Sequence, residues 1–158
     1  MITVEFKAEQ LMAALTRADA QFDDMLPLYR QIGEILLTST KERFAKGEAP
    51  DGTKWKPKSP ATLAKYGARK SNNVDSRPLY GPTKLLSQQI TSDAASDQVE
   101  IGSNRVYAAM MQYGGTKAAF PHLWGDIPAR PFLGISAQDE TNLVGEIEEW
   151  LRTAIRPG

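Results

Sequence analysis

The chain has 158 residues, with 19 Lys and Arg balanced by 19 Asp and Glu, a single His and no Cys. That length suits one domain, which buries roughly 70% of its unfolded surface without covalent staples. The missing cysteines exclude disulfides, thiol nucleophiles and thiolate metal sites, and a lone histidine excludes His-pair metal sites.

The opening MITVEFKAEQ lacks the basic start and long apolar core of a signal peptide. No apolar run approaches the roughly 18 residues of a membrane span. A soluble intracellular protein without membrane contact is the expectation. The charge is unevenly spread. Residues 1–40 carry three Lys and Arg against six Asp and Glu, residues 41–84 eleven against four, and residues 85–158 five against nine. A basic middle between acidic ends fits a nucleic-acid surface, or a positive face that meets a negative face on a neighbour, including another copy.

In chain order, the alternation of residues 2–6, ITVEF, predicts a short strand. Residues 8–19 predict a helix. Asp23 and Asp24 are candidate caps for a second helix, with Pro27 in its first turn, running to Lys46 and ending at Gly47. These two helices are expected to pair antiparallel. Pro50-Asp51-Gly52 marks a tight turn, followed by an exposed-looking Trp55. Trp55 suits turn packing or an interface. Ser59-Pro60 starts a short helix to residue 66. Residues 67–83 read as an extended loop.

A short helix is predicted over Thr83–Ile90, then a hairpin of Gln89–Ala94 and Gln98–Gly102. Val106–Gln112 predicts a helix stopped by Gly114-Gly115. Tyr107 and Tyr113 share no helix face well, so at least one is expected to face outward as a contact. Residues 115–128 read as a second loop. Arg130–Ile135 reads as a strand. Ser136 and Asp139 form a capping-box-like pair before a last helix that ends ahead of Pro157. The sum is an α+β domain over 1–158: a small antiparallel sheet packed on helices, with long N- and C-terminal helices and extended loops.

No catalytic constellation is visible. His122 has no G-x-S-x-G partner motif, and neither a Walker loop nor G-x-G-x-x-G occurs. Glu146, Glu148 and Glu149 fall on the polar side of the last helix, where a solvated face is expected. No enzyme activity, cofactor or metal is expected. A nucleic-acid reading rests on Lys54, Lys56, Lys58, Lys65, Arg69 and Lys70, interleaved with Trp55 and Tyr66, since cations with aromatics hold phosphates and stack bases.

Four segments form an ordered set: RF-x-x-GEAPDGTKWKPKSPATL (Arg43–Leu63), LYGPTKLLSQQI (Leu79–Ile90), IGSNRVYAAMMQYGG (Ile101–Gly115) and IPARPFLG (Ile127–Gly134). Together they resemble the phage virion morphogenesis family, the tail-completion proteins of Mu-like and related tailed phages. The resemblance covers about residues 25–155. It departs from the family pattern at Gly81-Pro82-Thr83-Lys84.

The resemblance implies a non-catalytic structural protein acting in tail completion and head–tail joining at the neck, as a ring similar to the sixfold rings of other neck proteins. It implies a place in the virion neck or tail, and in the host cytoplasm during assembly. The implied partners are copies of itself, forming a hexameric ring, neighbouring neck and tail proteins, and DNA passing through the lumen. Lys54, Lys56, Lys58, Arg69 and Lys70 are the candidates for DNA contact. Pro128 and Pro131 restrict the backbone around Arg130. Arg130 is therefore expected to clasp an acidic or carbonyl group near the Val106–Gly115 helix, in its own chain or the next subunit. Phe132 and Leu133 are expected to anchor the segment in the core.

Overall fold

The computed structural model describes residues 8–68 and 74–156. The strand predicted over 2–6, and Arg69 and Lys70, lie outside the described residues. The elements are α1 (Ala8–Phe22), α2 (Leu26–Lys46), α3 (Pro60–Ala68), α4 (Leu85–Gln88), β1 (Thr91–Ala94), β2 (Val99–Gly102), α5 (Ala108–Tyr113) and α6 (Ala137–Ile155). The architecture is α+β.

Helix α2 is the spine. It ends as its sequence predicts: Gly47 is left-handed, at φ 68°, and its N–H returns to the Arg43 carbonyl at 2.7 Å. Its start differs. The capping position is Met25, and the Asp24 carboxylate, one residue earlier, accepts from the Leu26 N–H at 3.3 Å. Helix α2 packs against both strands and against α6. The antiparallel strands pair Thr91 with Gly102 and Ala94 with Val99. They lie close over α2 at Gly33, where an added Cβ would stand 3.1 Å from Ser92 Oγ and 3.2 Å from Val99 Cγ2. The interior glycine thus weakens the helix intrinsically but admits the sheet.

The expected α1–α2 antiparallel pair does not form. Helix α1 packs on α6 instead. Phe22 meets Trp150 edge-on at 5.5 Å, and Arg17 Nη2 donates to the Ile155 carbonyl at 3.1 Å. Near the other end of α6, Asp139 meets Arg43 of α2. So α1 and α2 run in the same sense, both antiparallel to α6. A three-residue connection between two helices suggests a hairpin, but the apolar side of α6, with Trp150 and Ala154 buried, attracts both helices.

Three elements are shorter than predicted, β1 beginning at Thr91 and not at Gln89. Helix α4 begins only at Leu85, because Lys84 takes a left-handed conformation at φ 53° after a turn closed by its own N–H on the Gly81 carbonyl. Helix α5 begins at Ala108, leaving Val106 in solvent. The strand predicted over Arg130–Ile135 is absent: the segment is irregular and pairs with no strand. Its N–H groups are instead taken by the Met111 carbonyl and the Gln112 side chain, and Pro131 interrupts any ladder.

The core gathers Phe44, Trp55, Leu79, Leu86, Ile90, Ala108 and Phe132. Phe44 is its hub, with ring centroids 5.6 Å from Trp55, 6.1 Å from Tyr80 and 5.4 Å from Phe132. Trp55 is therefore buried, not exposed as its lysine-rich surroundings suggest, because its ring completes this aromatic cluster.

Beside the hub lies a buried ion pair. Arg43 and Asp139 are 4% and 2% exposed and bond directly. Arg43 Nη2 also reaches Ser39 Oγ at 2.9 Å. Asp139 doubles as the reciprocal half of the α6 capping box, accepting from the Ser136 N–H at 2.8 Å while the Asp139 N–H donates to Ser136 Oγ at 3.1 Å. Glu148 and Glu149 sit exposed at 3.7 Å from Arg152, whereas Glu146 is half-buried.

Burial pushes the Asp139 carboxyl up, but the Ser39 and Ser136 hydrogen bonds and the Arg43 charge outweigh it and leave its pKa below the ordinary value of 3.8. A lowered carboxylate pKa stabilises the fold above the unfolded value, and that stability is lost as pH falls through the folded one. Thermal melts should hold near neutrality and drop below about pH 4. Arg43→Ala, which strands a buried carboxylate, should cost about 3–5 kcal/mol in urea unfolding at pH 7. Asp139→Asn should be less stable at neutral pH yet lose less on acidification than the parent.

Candidate functional site

Residues 127–134 thread between α5, the Trp55 turn and the end of α2. Gly114 and Gly115 make the approach possible. Gly114 closes α5 with its N–H on Met110 O at 2.8 Å and takes φ 71°; a Cβ there would lie 2.6 Å from Ala129 N and 2.7 Å from Ile127 O. Gly115 and Ile127 exchange two backbone hydrogen bonds, 2.9 and 2.8 Å, which close the 116–126 loop at its base. The double glycine is thus both a helix stop and a close backbone contact.

Arg130 is 8% exposed. Its N–H donates to the Met111 carbonyl at 2.8 Å. Its guanidinium donates from Nε to Lys56 O at 2.7 Å and from Nη2 to Pro57 O at 2.9 Å. The expected partner near α5 is therefore met by the main chain, and the side chain forks across two successive carbonyls of the Trp55 turn. Geometry dictates the division. The main chain lies against the last turn of α5, and the side chain extends past it to carbonyls that no strand serves. Burial lowers the Arg130 pKa from 12.5, but a guanidinium stays charged at neutral pH.

Three further side chains hold the same segment. Gln112 Oε1 accepts from the N–H groups of Phe132 and Leu133 at 2.9 and 3.0 Å, and its Nε2 donates to Leu133 O at 3.1 Å. Trp55 Nε1 donates to Pro131 O at 2.8 Å, and Arg43 Nη1 to Phe132 O at 3.1 Å. Sequence reasoning assigned no role to Gln112 or Arg43. The only signal was their presence inside the quoted motifs.

The predicted contact residues separate. Phe132 is fully buried and belongs to the core. Tyr107 is partly exposed, and Tyr113 faces solvent. Lys54 pairs with Glu48 at 3.0 Å and donates to Lys46 O. The Lys58 ammonium donates to the carbonyls of Asp75 and Tyr80 and lies 5.2 Å from the Tyr66 ring centre. Burial lowers its pKa against the raising effect of Asp75. Lys56 is exposed, and Lys65 stands 3.7 Å over the ring of Trp124, itself 90% exposed. With Trp55 in the core and Lys58 turned inward, the cation–aromatic run does not lie open as one stacking platform. His122 is exposed and meets Phe120 edge-on at 6.3 Å. Among the described residues, no cluster of three His, Asp or Glu side chains is placed to hold a metal ion.

A groove of about 740 Å³ opens beside the clasp, lined by Lys56, Tyr66, Leu86, Tyr107, Met111 and Pro128 among others. Its lining mixes the apolar Leu79, Leu86 and Met111 with the cations Lys56, Lys58 and Arg130 and one carboxylate, Asp126.

Residues 6–152 match the model of the phage virion morphogenesis family. The chain belongs to that family. This family member is 32% identical over 128 residues to the putative capsid assembly protein G of Escherichia phage Mu, covering 80% of each chain. It is 28% identical over 157 residues to the Mu-like prophage FluMu G protein 2 of Haemophilus influenzae, covering 99% of this chain and 100% of that one. No solved structure matches it. Its role is that of a structural phage protein in virion morphogenesis. No helix among the described residues is long and apolar enough to cross a membrane.

Removing the forked donor leaves two carbonyls of the Trp55 turn without their partner. Arg130→Ala should destabilise the virion morphogenesis protein by roughly 2–3 kcal/mol in chemical denaturation. Arg130→Lys should recover only part of that, because one ammonium does not reproduce a planar fork.

Proposed function

We propose that this chain completes the tail and joins it to the head at the neck of a tailed phage, acting as a ring of copies without catalysis. The observation that carries the reading is where the family-bearing segments meet. The Asp-Gly-x-x-Trp turn, the Gln-x-Gly-Gly run and the Pro-Ala-Arg-Pro-Phe-Leu-Gly element converge on one buried clasp of hydrogen bonds at residues 130–133. What those segments encode is rigidity, not a reactive group.

The ring is supported by charge. The exposed acids Glu9, Asp19, Asp23 and Asp24 lie in α1 and the turn after it, at one end of α2, and the exposed Lys56 follows the turn at its other end. A chain with opposite character at its two ends suits head-to-tail closure. Neighbouring neck and tail proteins would contact the faces that the ring leaves free. The particle neck is the final location, reached from the host cytoplasm during assembly.

Deleting the gene from its parent phage and imaging the lysate by negative-stain electron microscopy tests this. Filled heads beside separate, full-length tails are expected. Normally joined particles would overturn the assignment.

A further inference from the structure

Helix α1 carries an apolar stripe that the described residues leave largely uncovered. Arg17 bonds the carbonyl of Ile155, the last residue of α6. The residues of α1 before Arg17 therefore reach past that end, about 13 Å of helix. Leu11, Ala14, Leu15, Ala18 and Phe22 repeat at helical spacing along one stripe. Among the described residues nothing fully covers it: Leu11, Leu15 and Phe22 are 46%, 54% and 51% exposed, and the adjacent Met12 is 61% exposed. A helix of this length is marginal in water unless its apolar face is packed.

The stripe is flanked by acid. Glu9, Asp19, Asp23 and Asp24 are exposed. The one cation between residues 8 and 24, Arg17, is committed to the Ile155 carbonyl. The opposite character lies in the groove beside α5, lined by Leu86, Met111 and Pro128 with three cations, Lys56, Lys58 and Arg130, against one carboxylate, Asp126. On α3, next to the lining residue Tyr66, Lys65 stacks on the exposed ring of Trp124. Arg130 and Lys58 are already bound to carbonyls, so Lys56 is the lining cation exposed to meet a partner there.

We propose that the α1 arm of one copy seats in this groove of the next copy. The inference rests on the ring reading and names its two faces. The arm cannot reach its own groove. Helix α2 alone, 21 residues or about 31 Å, separates the Phe22 end from the Trp55 turn. An acid-flanked apolar stripe fits a largely apolar groove whose lining carries more cations than carboxylates as a helix-in-groove contact. Because the two surfaces differ and lie at opposite ends, the contact is heterologous and propagates from copy to copy.

The chain has no cysteine, so any disulfide reports introduced residues. Leu15→Cys combined with Lys56→Cys, mildly oxidised in the full-length protein and in assembled particles, should give a ladder of linked copies that collapses on reduction. Either single variant should give none. A second measurement separates arm from groove. Leu11→Glu/Leu15→Glu and Lys56→Glu/Lys65→Glu, each checked for a cooperative melt, should sediment as monomers alone and as a one-to-one heterodimer when mixed. The proposal is overturned by an absent ladder, by cross-linking in Leu15→Cys alone, by an arm variant that assembles like the parent, or by a mixture that stays monomeric. Such a failure leaves the neck assignment standing if gene deletion still separates heads from tails. Joined particles after deletion would remove the neck assignment, whatever the ladder shows.

Discussion

The backbone of residues 130–133 crosses the core with no strand beside it, and most of the molecule's specificity follows from meeting that constraint. A buried main-chain polar group left without a partner costs about 1–3 kcal/mol. A strand would meet the cost with a neighbour. Here Met111 supplies a carbonyl, Gln112 meets two N–H groups and a carbonyl, Trp55 meets Pro131, and Arg43 meets Phe132. Each donor comes from a different place: α2, the turn after it, and α5. Fixing the segment therefore fixes those elements relative to one another. Pro131 removes one of the segment's N–H groups, which reduces the number needing partners.

The same economy appears at the end of α2. Arg43 and Phe44 are consecutive, yet both are buried. Phe44 turns to the aromatic cluster, and Arg43 turns to α6 and to the threaded segment. Asp139 answers Arg43 while also completing the cap of its own helix. A buried ion pair is weak evidence for net stability, since desolvation offsets attraction. Its consequence here is geometric. The pair accepts only one register of α6 against α2, and that register sets where the Trp150 face meets Phe22 of α1.

Local chemistry was legible in the sequence, and distant pairing was not. The left-handed glycine at 47, the Ser136–Asp139 box, the 91–102 hairpin and the glycine stop after α5 each depend on residues within a few positions, so their signatures are short. The strand predicted over 130–135 did not form, and an apolar run says nothing about what its backbone bonds to. Its partners are side chains as far as 89 residues away, and such bonds leave no periodic trace. Arg43 and Asp139 are separated by 96 positions, so Asp139 reads from sequence as a cap alone. The α1 partner was misjudged for a related reason. Chain proximity favours a hairpin with α2, while the decisive surface belongs to α6, more than a hundred residues on. For the candidate site, Arg130 was marked out by its prolines, whereas Gln112 had nothing local to distinguish it.

The two ends of α2 are held by different physics, and the difference bears on assembly. The Trp55 end is secured by directional hydrogen bonds whose geometry tolerates little displacement, so the groove beside it keeps its shape before any partner arrives. The α1 end is secured by one edge-on aromatic contact and one arginine–carbonyl bond, and its apolar stripe is only half used. A preformed groove avoids an ordering cost on binding, while an under-packed helix gains apolar burial only when something covers it. Such a chain has little to gain from closing on itself and more to gain from meeting a neighbour. With the proposed arm-in-groove contact, that asymmetry favours growth in one direction, which closes into a ring when the rotation per copy permits and otherwise continues as an open array.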